Sequence, residues 1–239
     1  MTGITFSDLW MPTDWFFRNA NSAGPHDITV TYGRSNDVLV VGDWNGDGVD
    51  TPAVVRCNLW IMNNGFDGTF DFQFAFGASD CTDKPVVGDW DGDGVDEPGL
   101  VRGNIWYLNY NFDNTHDLSC AWAQSTDTFL GGDWNGNATD TPGVFRSPNL
   151  WFLNNGCDGT TDVSFGYGTS GDVPVVGSWT GTGGDRPGVV RDNVWWLNNN
   201  FDNTSDWPSF GFGYDLDEPL AGDWNGNSDD TPGVGRATG

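Results

Sequence analysis

The sequence predicts an all-β fold, a five-bladed β-propeller with four antiparallel strands in each blade. The first observation is an internal repeat: a Gly-Asp-Trp or Gly-Ser-Trp segment with a polar turn and an apolar run occurs at 40–56, 86–102, 130–146, 175–191 and 220–236. Its tryptophans are 46, 44, 45 and 45 residues apart, a typical blade length. The second observation is that each period offers four short strand candidates bounded by Gly, Asn, Asp and Pro, with no helical periodicity. Together these observations favour a propeller over a sandwich or an open sheet.

Each repeat is expected to run outward from the axis of the ring. An inner strand ends at a glycine, where side chains have little room near the axis. These glycines are Gly42, Gly88, Gly132, Gly177 and Gly222. A turn of the DWNGDGVD type leads to a second strand, and a third strand of the LWIM type follows. A turn of the NNGFDGTFD type then leads to an aromatic-rich fourth strand.

The chain begins half a repeat out of phase. Trp15 occupies a third-strand position, and Arg236 ends a second strand. We therefore expect residues 14–33 and 220–236 to share one blade, which closes the ring and removes the exposed sheet edge. Residues 1–239 then form a single domain.

The charge balance excludes several classes of partner. Thirty-four Asp and Glu stand against nine Lys and Arg, for a formal net charge of −25. This field opposes binding to nucleic acid and to anionic membranes. No apolar run approaches the roughly 20 residues of a membrane span, and the start of the sequence lacks the features of a signal peptide. We expect a monomer without nucleic-acid partner or membrane insertion, whose leader has been removed or replaced if it is secreted.

A repeated Asp precedes each inner strand, and a repeated Arg ends each second strand. Antiparallel pairing about the intervening turn places the two side by side, so we expect structural ion pairs. The pairs are Asp37–Arg56, Asp83–Arg102, Asp127–Arg146, Asp172–Arg191 and Asp217–Arg236.

The acidic turns of the first two repeats alternate oxygen-bearing side chains and end in a glycine, which suits the oxygen-rich coordination of Ca²⁺. The candidate ligands are Asp43, Asn45, Asp47 and Asp50, and then Asp89, Asp91, Asp93 and Asp96. The last acid of each set sits at the eighth position of its loop, whereas the ninth holds Thr51 or Glu97. The alternative is an Asx-rich turn whose side chains accept hydrogen bonds from local amides. The later repeats favour that alternative, because they carry Asn137, Asn227 or no acid at the ligand positions.

The segments 42–48 (GDWNGDG) and 88–94 (GDWDGDG) resemble the calcium-binding repeats of integrin α-subunit propellers and their bacterial relatives, the FG-GAP or VCBS family. The resemblance extends over all five repeats and is strongest in the first two. It implies Ca²⁺ as a cofactor and an extracellular, non-catalytic recognition domain. The sequence departs from the family in its number of blades and in the early position of the final Asp. Some fungal lectins of similar repeat design bind sugars between blades, which leaves a glycan ligand open by analogy.

Two rings of tryptophans recur in the repeats. One ring has apolar neighbours on both sides, as is typical of packing between blades. It consists of Trp15, Trp60, Trp106, Trp151 and Trp195. The other lies beside the acidic turns and supplies the candidate ligand-binding residues Trp44, Trp90, Trp134, Trp179 and Trp224. A unique protein partner would instead use the non-repeated Trp10, Trp122, Trp196 and Trp207, although core filling explains Trp122 and Trp196 equally well.

The expected function is a non-catalytic extracellular recognition module. Its ligand is expected to be a glycan on the acidic-turn face or in inter-blade grooves that open on it, with Asn pairs such as Asn63-Asn64 contacting hydroxyls. A protein-binding adhesion or structural module is the alternative. The sequons at Asn137 and Asn203 also fall in turns on this face.

A five-bladed glycoside hydrolase is a second alternative, but the residues argue against an enzyme. Nearly every acid belongs to a five-fold set, whereas catalysis requires unique carboxylates in distinct environments. His26 and His116 lie in outer turns, and no Ser-His-Asp or Cys-His grouping can be argued.

The four cysteines are not repeated between blades. Cys57 opens the connection between a second and a third strand, and Cys81 lies in the following connection on the same face. We expect these two to form a disulfide. Cys120 aligns with Phe74 and Phe165 and is expected to be a buried thiol.

Overall fold

The computed structural model describes residues 11–238, which form twenty β-strands in five antiparallel sheets of four strands each. Inner strands of consecutive sheets contact one another in a closed cycle, so the sheets are the blades of a propeller. The predicted five-bladed propeller is confirmed. Trp10 lies outside the described residues.

Four blades are continuous in sequence, and their strands run in order from the axis to the rim. Blade I contains β3 (Val38–Gly42), β4 (Thr51–Arg56), β5 (Leu59–Met62) and β6 (Phe72–Ala75). Blade II contains β7 (Lys84–Gly88), β8 (Glu97–Arg102), β9 (Ile105–Leu108) and β10 (Leu118–Ala121). Blade III contains β11 (Thr128–Gly132), β12 (Thr141–Arg146), β13 (Leu150–Leu153) and β14 (Val163–Gly166). Blade IV contains β15 (Val173–Gly177), β16 (Arg186–Arg191), β17 (Val194–Leu197) and β18 (Phe210–Gly211).

Blade V closes the ring from both ends of the chain, as the repeat phase predicts. It contains β19 (Glu218–Gly222), β20 (Thr231–Ala237), β1 (Pro12–Phe17) and β2 (Ile28–Arg34). β20 pairs antiparallel with β1, and Trp15 lies opposite Gly235. The backbone hydrogen bonds of this pair therefore hold the two ends of the described chain together.

The core lies between blades and follows from alternation along the third strands. The predicted packing ring is confirmed, because Trp15, Trp60, Trp106, Trp151 and Trp195 are each 0% exposed. Each indole N–H donates to a backbone oxygen just after the fourth strand or within it, for example Trp60 to the Phe76 carbonyl oxygen at 3.2 Å. A buried donor without such a partner would be destabilising. Trp122 is also core, because it packs with Val144 of the next blade.

Crowding explains the glycine that ends each inner strand. A Cβ atom at Gly222 would lie 2.6 Å from Asp50 Oδ2 and 2.9 Å from the Trp224 ring. At Gly177 it would lie 2.8 Å from both Asp230 and Trp179. The crowding arises from the acid of an adjacent blade and from the strand's own tryptophan.

The disulfides confirm one prediction and correct another. Cys57 and Cys81 are bonded, as expected. The prediction that Cys120 is a buried thiol is wrong, because Cys120 of blade II is bonded to Cys157 in the outer turn of blade III. The physical reason lies in the repeat: at two other junctions the same pair of positions holds two phenylalanines in ring contact, Phe74 with Phe112 and Phe165 with Phe201. A disulfide replaces this ring contact, and that paired substitution was the sequence signal for it.

Candidate functional site

The five predicted Asp–Arg ion pairs are all present and share one geometry. In each, Arg Nε and Nη2 donate to the two carboxylate oxygens at 2.6–2.9 Å. The aspartate side chains are only 0–5% exposed, so the arginines are held from inside the protein. Hydrogen bonding to Arg102 holds the pKa of Asp83 below its usual value. These bonds use two of the three guanidinium nitrogens, and within residues 11–238 no Nη1 of these arginines donates a hydrogen bond.

Four of these guanidinium groups also lie over an aromatic ring of the neighbouring third strand. The Cζ-to-centroid distances are 5.6 Å for Arg102–Tyr107, 4.5 Å for Arg146–Phe152, 4.8 Å for Arg191–Trp196 and 4.6 Å for Arg236–Phe16. Blade I has Ile61 at the ring position. Trp196, which stood out in the sequence as non-repeated, is therefore one member of this set of stacking positions.

Inter-blade grooves open beside these arginines. We use the term for the clefts between the end of one blade's fourth strand and the arginine-bearing side of the next blade. The groove between blades IV and V is a cavity of about 320 Å³ whose lining includes Phe16, His26, Tyr214 and Arg236. The groove between blades V and I is a cavity of about 450 Å³ lined by equivalent positions, including Tyr32, Arg34, Arg56, Ile61 and Phe70. Among residues 11–238, no carboxylate lines either cavity.

A second concave site lies on the axis at the acidic-turn face. The cavity there measures about 330 Å³. Carboxylates from all five blades line it: Asp50, Asp96, Asp140, Asp185 and Asp230. Burial, reinforced by neighbouring carboxylates, raises the pKa of Asp96 to about 7 and the pKa of Asp230 to about 8. Burial also raises the pKa of Asp185 to about 6.

These axial carboxylates join adjacent blades, a role that the sequence did not indicate for Asp50 and Asp96. Asp96 Oδ2 accepts the Asp43 backbone N–H of blade I at 2.8 Å, and the Asp96 N–H donates to the Asp43 carbonyl oxygen at 2.9 Å. Asp50 makes the same two-way connection to Asp223 of blade V at 2.8 Å in each direction. The aspartate at the eighth position of each loop therefore bonds the adjacent blade.

The first acid of each loop satisfies local amides, as the Asx-turn alternative predicts. Asp43 Oδ1 accepts the Gly46 N–H at 2.8 Å, and Asp43 Oδ2 accepts the Gly48 N–H at 2.7 Å. Asp89 makes the equivalent bonds in blade II. Asn45 donates to Asp47 within its loop at 3.1 Å.

Blade II brings three carboxylates together in a way that the sequence only partly indicates. Oxygens of Asp89, Asp91 and Glu97 lie within 4.8 Å of one another, the one such group among the described residues. Glu97 is 1% exposed, and burial together with Asp91 raises its pKa to about 8. The predicted ligands Asp89 and Asp91 therefore lie together, while Asp93 and Asp96 are outside the group. Glu97, at the ninth loop position, joins them.

Blade IV carries the opposite charge at the same place. Its loop has Ser178, Thr180 and Thr182 at the acid positions and Arg186 at the position of Glu97. The Arg186 guanidinium donates to the Gly183 and Asp185 carbonyl oxygens, each at 2.6 Å. A fixed cation thus accompanies the loop that has lost its acids.

The predicted ligand-binding tryptophans lie in the interior. Trp44, Trp90, Trp134, Trp179 and Trp224 are 2–4% exposed. Each indole N–H donates to a backbone oxygen near the start of the second strand, for example Trp44 to the Thr51 carbonyl oxygen at 3.0 Å. With both ring faces covered, these residues offer no surface on which a sugar could stack.

The remaining residues that the sequence suggested as candidates lie in turns or near the rim of the propeller. Asn63 and Asn198 are 0% exposed and hold the backbone of their own turns, so they do not face solvent. His26 and His116 lie against Phe16 and Tyr107, at ring-centroid distances of 5.1 and 5.0 Å. The sequon residues Asn137 and Asn203 are exposed, while Trp207 is partly buried against the core between blades IV and V.

Comparison with protein-family models gives no match, and no curated protein matches this sequence significantly. Residues 11–238 contain no helix of the length and apolarity needed to cross a membrane.

Proposed function

We propose that this propeller is a non-catalytic extracellular recognition module that binds glycans in its inter-blade grooves. The observation that carries the proposal is the repeated guanidinium group, fixed by a buried aspartate and left with Nη1 as a donor at the groove. A planar donor beside an aromatic ring suits a sugar, whose hydroxyl oxygens accept hydrogen bonds and whose C–H face packs on the ring.

The size and number of the grooves support the proposal. The two cavities of about 320 and 450 Å³ fall at the lower end of the usual range for small-ligand pockets, roughly 300–1,000 Å³. Equivalent positions recur around the ring, so a branched or repeating glycan could engage several at once. Weak individual affinities would then add through avidity.

We propose a non-catalytic module because the five axial aspartates make equivalent contacts. Each of the five accepts one N–H from the adjacent blade in the same geometry. A glycosidase needs two carboxylates with different roles, whereas the shared backbone hydrogen bond gives these five the same structural role. Two disulfides are compatible with a secreted protein, since such bonds persist in oxidising compartments.

We further propose that the blade II loop binds Ca²⁺ through Asp89, Asp91 and Glu97, and that the chain is a divergent relative of the FG-GAP family. The donors are all oxygens, as Ca²⁺ prefers. Glu97 is a buried carboxylate beside two other acids, and a cation would offset their mutual repulsion. Arg186 supplies positive charge at the equivalent place in blade IV, which supports the view that this position accommodates a cation.

Calcium is expected to raise the melting temperature of the wild-type protein. At a concentration one hundred times Kd, linkage gives about 2.7 kcal/mol of added stability. Glu97→Thr should abolish this shift, because threonine occupies the same position in blades I, III and V and is compatible with the fold. Calorimetry with calcium and with a chelator measures the shift in melting temperature for wild type and for Glu97→Thr. Asp113→Asn, an exposed change in an outer turn of blade II, is the control and should retain the full shift. An equal shift in wild type and Glu97→Thr would contradict the site.

Removing groove aromatics is expected to weaken glycan binding without unfolding the protein. Trp196→Ile and Phe152→Ile copy the residue that blade I carries naturally at Ile61. Stacking of a sugar face on one aromatic ring contributes on the order of 1 kcal/mol. We therefore expect the affinity of each groove to fall about five- to tenfold. A glycan array followed by titration of the best-binding oligosaccharide tests this. Unchanged affinity in the double variant would contradict binding in the grooves.

A protein-binding adhesion module is the second candidate, favoured by one loop between blades IV and V. Tyr214 and Leu216 are 68% and 98% exposed, and the other blades carry no apolar pair at these positions. Large exposed apolar side chains that break a repeat are typical of protein contacts. Leu216→Asp would then abolish capture of the protein partner and leave glycan binding unchanged.

A further inference from the structure

We propose that the channel along the propeller axis binds a free quaternary alkylammonium ion, with its charged head at the axial carboxylates and its alkyl tail in the apolar part of the channel. This site is separate from the inter-blade grooves, and the inference stands independently of the glycan-binding proposal.

The acidic cavity on the axis continues into a second cavity with an apolar lining. The second cavity measures about 200 Å³, and every residue that lines it is apolar and belongs to one of the five inner strands. The two cavities share one lining residue from each of these strands: Val41, Val87, Gly131, Val176 and Ala221. Since β3 runs towards the acidic turn, Leu39 lies deeper along the axis than Val41. The axial channel, as we call the two cavities together, is therefore polar at its mouth and apolar inside.

The mouth of the axial channel carries negative charge without an opposing cation in its lining. The five axial aspartates line it, and no Lys or Arg among residues 11–238 does. Each of these aspartates accepts one backbone N–H on Oδ2, while its Oδ1 accepts no hydrogen bond from the described residues. Arg186 offsets part of the rise that burial causes in the pKa of Asp185, but its side chain lies outside the lining. Burial, and then repulsion from neighbouring carboxylates, raises the pKa of Asp230 to about 8, and a bound cation would relieve that repulsion.

The spacing of the axial carboxylates favours a large cation. Among residues 11–238, no three of these carboxylates place oxygens within 4.8 Å of one another. Oxygens that bind one Ca²⁺ lie about 2.4 Å from it and are therefore at most about 4.8 Å apart. A primary ammonium holds three acceptors at about 2.8 Å from its nitrogen, which sets a similar limit. A quaternary ammonium has no N–H to satisfy and spreads its charge over four carbons, so it fits a wider ring of carboxylates.

The order of charge and apolar surface along the axial channel favours a free molecule. A ligand that enters from the acidic-turn face and keeps its charged head at the mouth carries its alkyl chain in front. A trimethylated lysine of a protein partner has the opposite order, since its charged end leads and its methylene groups follow. The carboxylates also oppose a ligand with an anionic group beside its ammonium, such as a betaine. The expected class is thus an alkyltrimethylammonium ion without an acidic group.

The test compares amines that differ in one feature, titrated at about pH 8 in calorimetry and in NMR of methyl-labelled protein. n-Butyltrimethylammonium should shift the methyl groups of Val41, Val87 and Val176, which line both parts of the channel. It should bind about tenfold more tightly than n-butylammonium, which has the same charge and tail, and about tenfold more tightly than tetramethylammonium, which has no tail. Glycine betaine and a trimethyllysine peptide should also bind about tenfold more weakly. Equal affinity for n-butylammonium, glycine betaine or the peptide would overturn the inference, as would the absence of methyl shifts.

Two variants locate the head and the tail of the ligand. Asp50→Asn combined with Asp230→Asn keeps the oxygens that accept backbone N–H groups and removes two charges, so the affinity should fall about tenfold. Ala221→Val copies the valine that three other blades carry at this position and narrows the apolar part, so it should remove the advantage of butyltrimethylammonium over tetramethylammonium. Asp215→Asn, at an exposed position, is the control and should leave every affinity unchanged. Wild-type affinity in the Asp50 and Asp230 double variant would contradict binding at the axial carboxylates.

Discussion

Replacing Cys120 and Cys157 with serine is expected to lower the free energy of unfolding by about 3–4 kcal/mol. The bond spans 37 residues of sequence and joins blade II to blade III, so its loss frees a long loop in the unfolded chain. Serine also places hydroxyls where other junctions pack phenylalanine rings. Denaturant unfolding under non-reducing conditions measures the change.

The repeat supplies a matched rescue for this variant. Cys120→Phe with Cys157→Phe restores the residue types of the Phe165–Phe201 contact at another junction. We expect it to recover roughly 1 kcal/mol relative to the serine variant, because ring packing returns while the covalent constraint does not. Equal stability of the two double variants would contradict the equivalence of the disulfide and the ring contact.

Lowering the pH from 8 to 5 without calcium is expected to stabilise the protein by several kcal/mol. The axial carboxyls have folded-state pKa values raised above their unfolded values, to about 7 for Asp96 and about 8 for Asp230. The folded state therefore binds more protons than the unfolded state between about pH 4 and pH 8. Stability from these groups is fully present below the unfolded pKa and is lost as pH rises through the folded pKa.

One substitution isolates this effect. Asp230→Asn keeps an oxygen that can accept the Ser178 N–H, which Asp230 Oδ2 does at 2.8 Å, but removes a negative charge from the ring. At pH 8 it should raise the free energy of unfolding by about 2 kcal/mol and flatten the pH dependence. Asp215→Asn, at an exposed position, should change neither. A stability that rises steadily from pH 5 to 8 in wild type would contradict the assignment.

The sequence was sufficient for the fold because the repeat encodes it several times over. Spacing alone placed the closing blade, and strand pairing alone placed each Arg beside its Asp. It was insufficient for contacts between blades, because a repeat shows that a position recurs and does not show which copy it touches. Asp50 and Asp96 were therefore assigned to their own loops, although each bonds the adjacent blade.

The repeat pattern also did not indicate how deeply each side chain is buried. Trp44 and its equivalents stand beside polar turns in sequence, yet their side chains are buried. The groove arginines were identified correctly as structural partners of aspartate. Their remaining donor and the ring beneath them became visible only when adjacent strands and adjacent blades were placed together.

The central claim is that ligands enter the inter-blade grooves, and chemical-shift mapping tests it most directly. The best-binding oligosaccharide from a glycan array is titrated into ¹⁵N-labelled protein with calcium present. We expect the largest shifts at the groove-lining residues and at the side-chain N–H groups of Trp196 and the paired arginines, with little change in the axial carboxylate loops. Shifts confined to the axial loops at 43–50 and 89–97, or absent from the grooves at saturating sugar, would contradict the account.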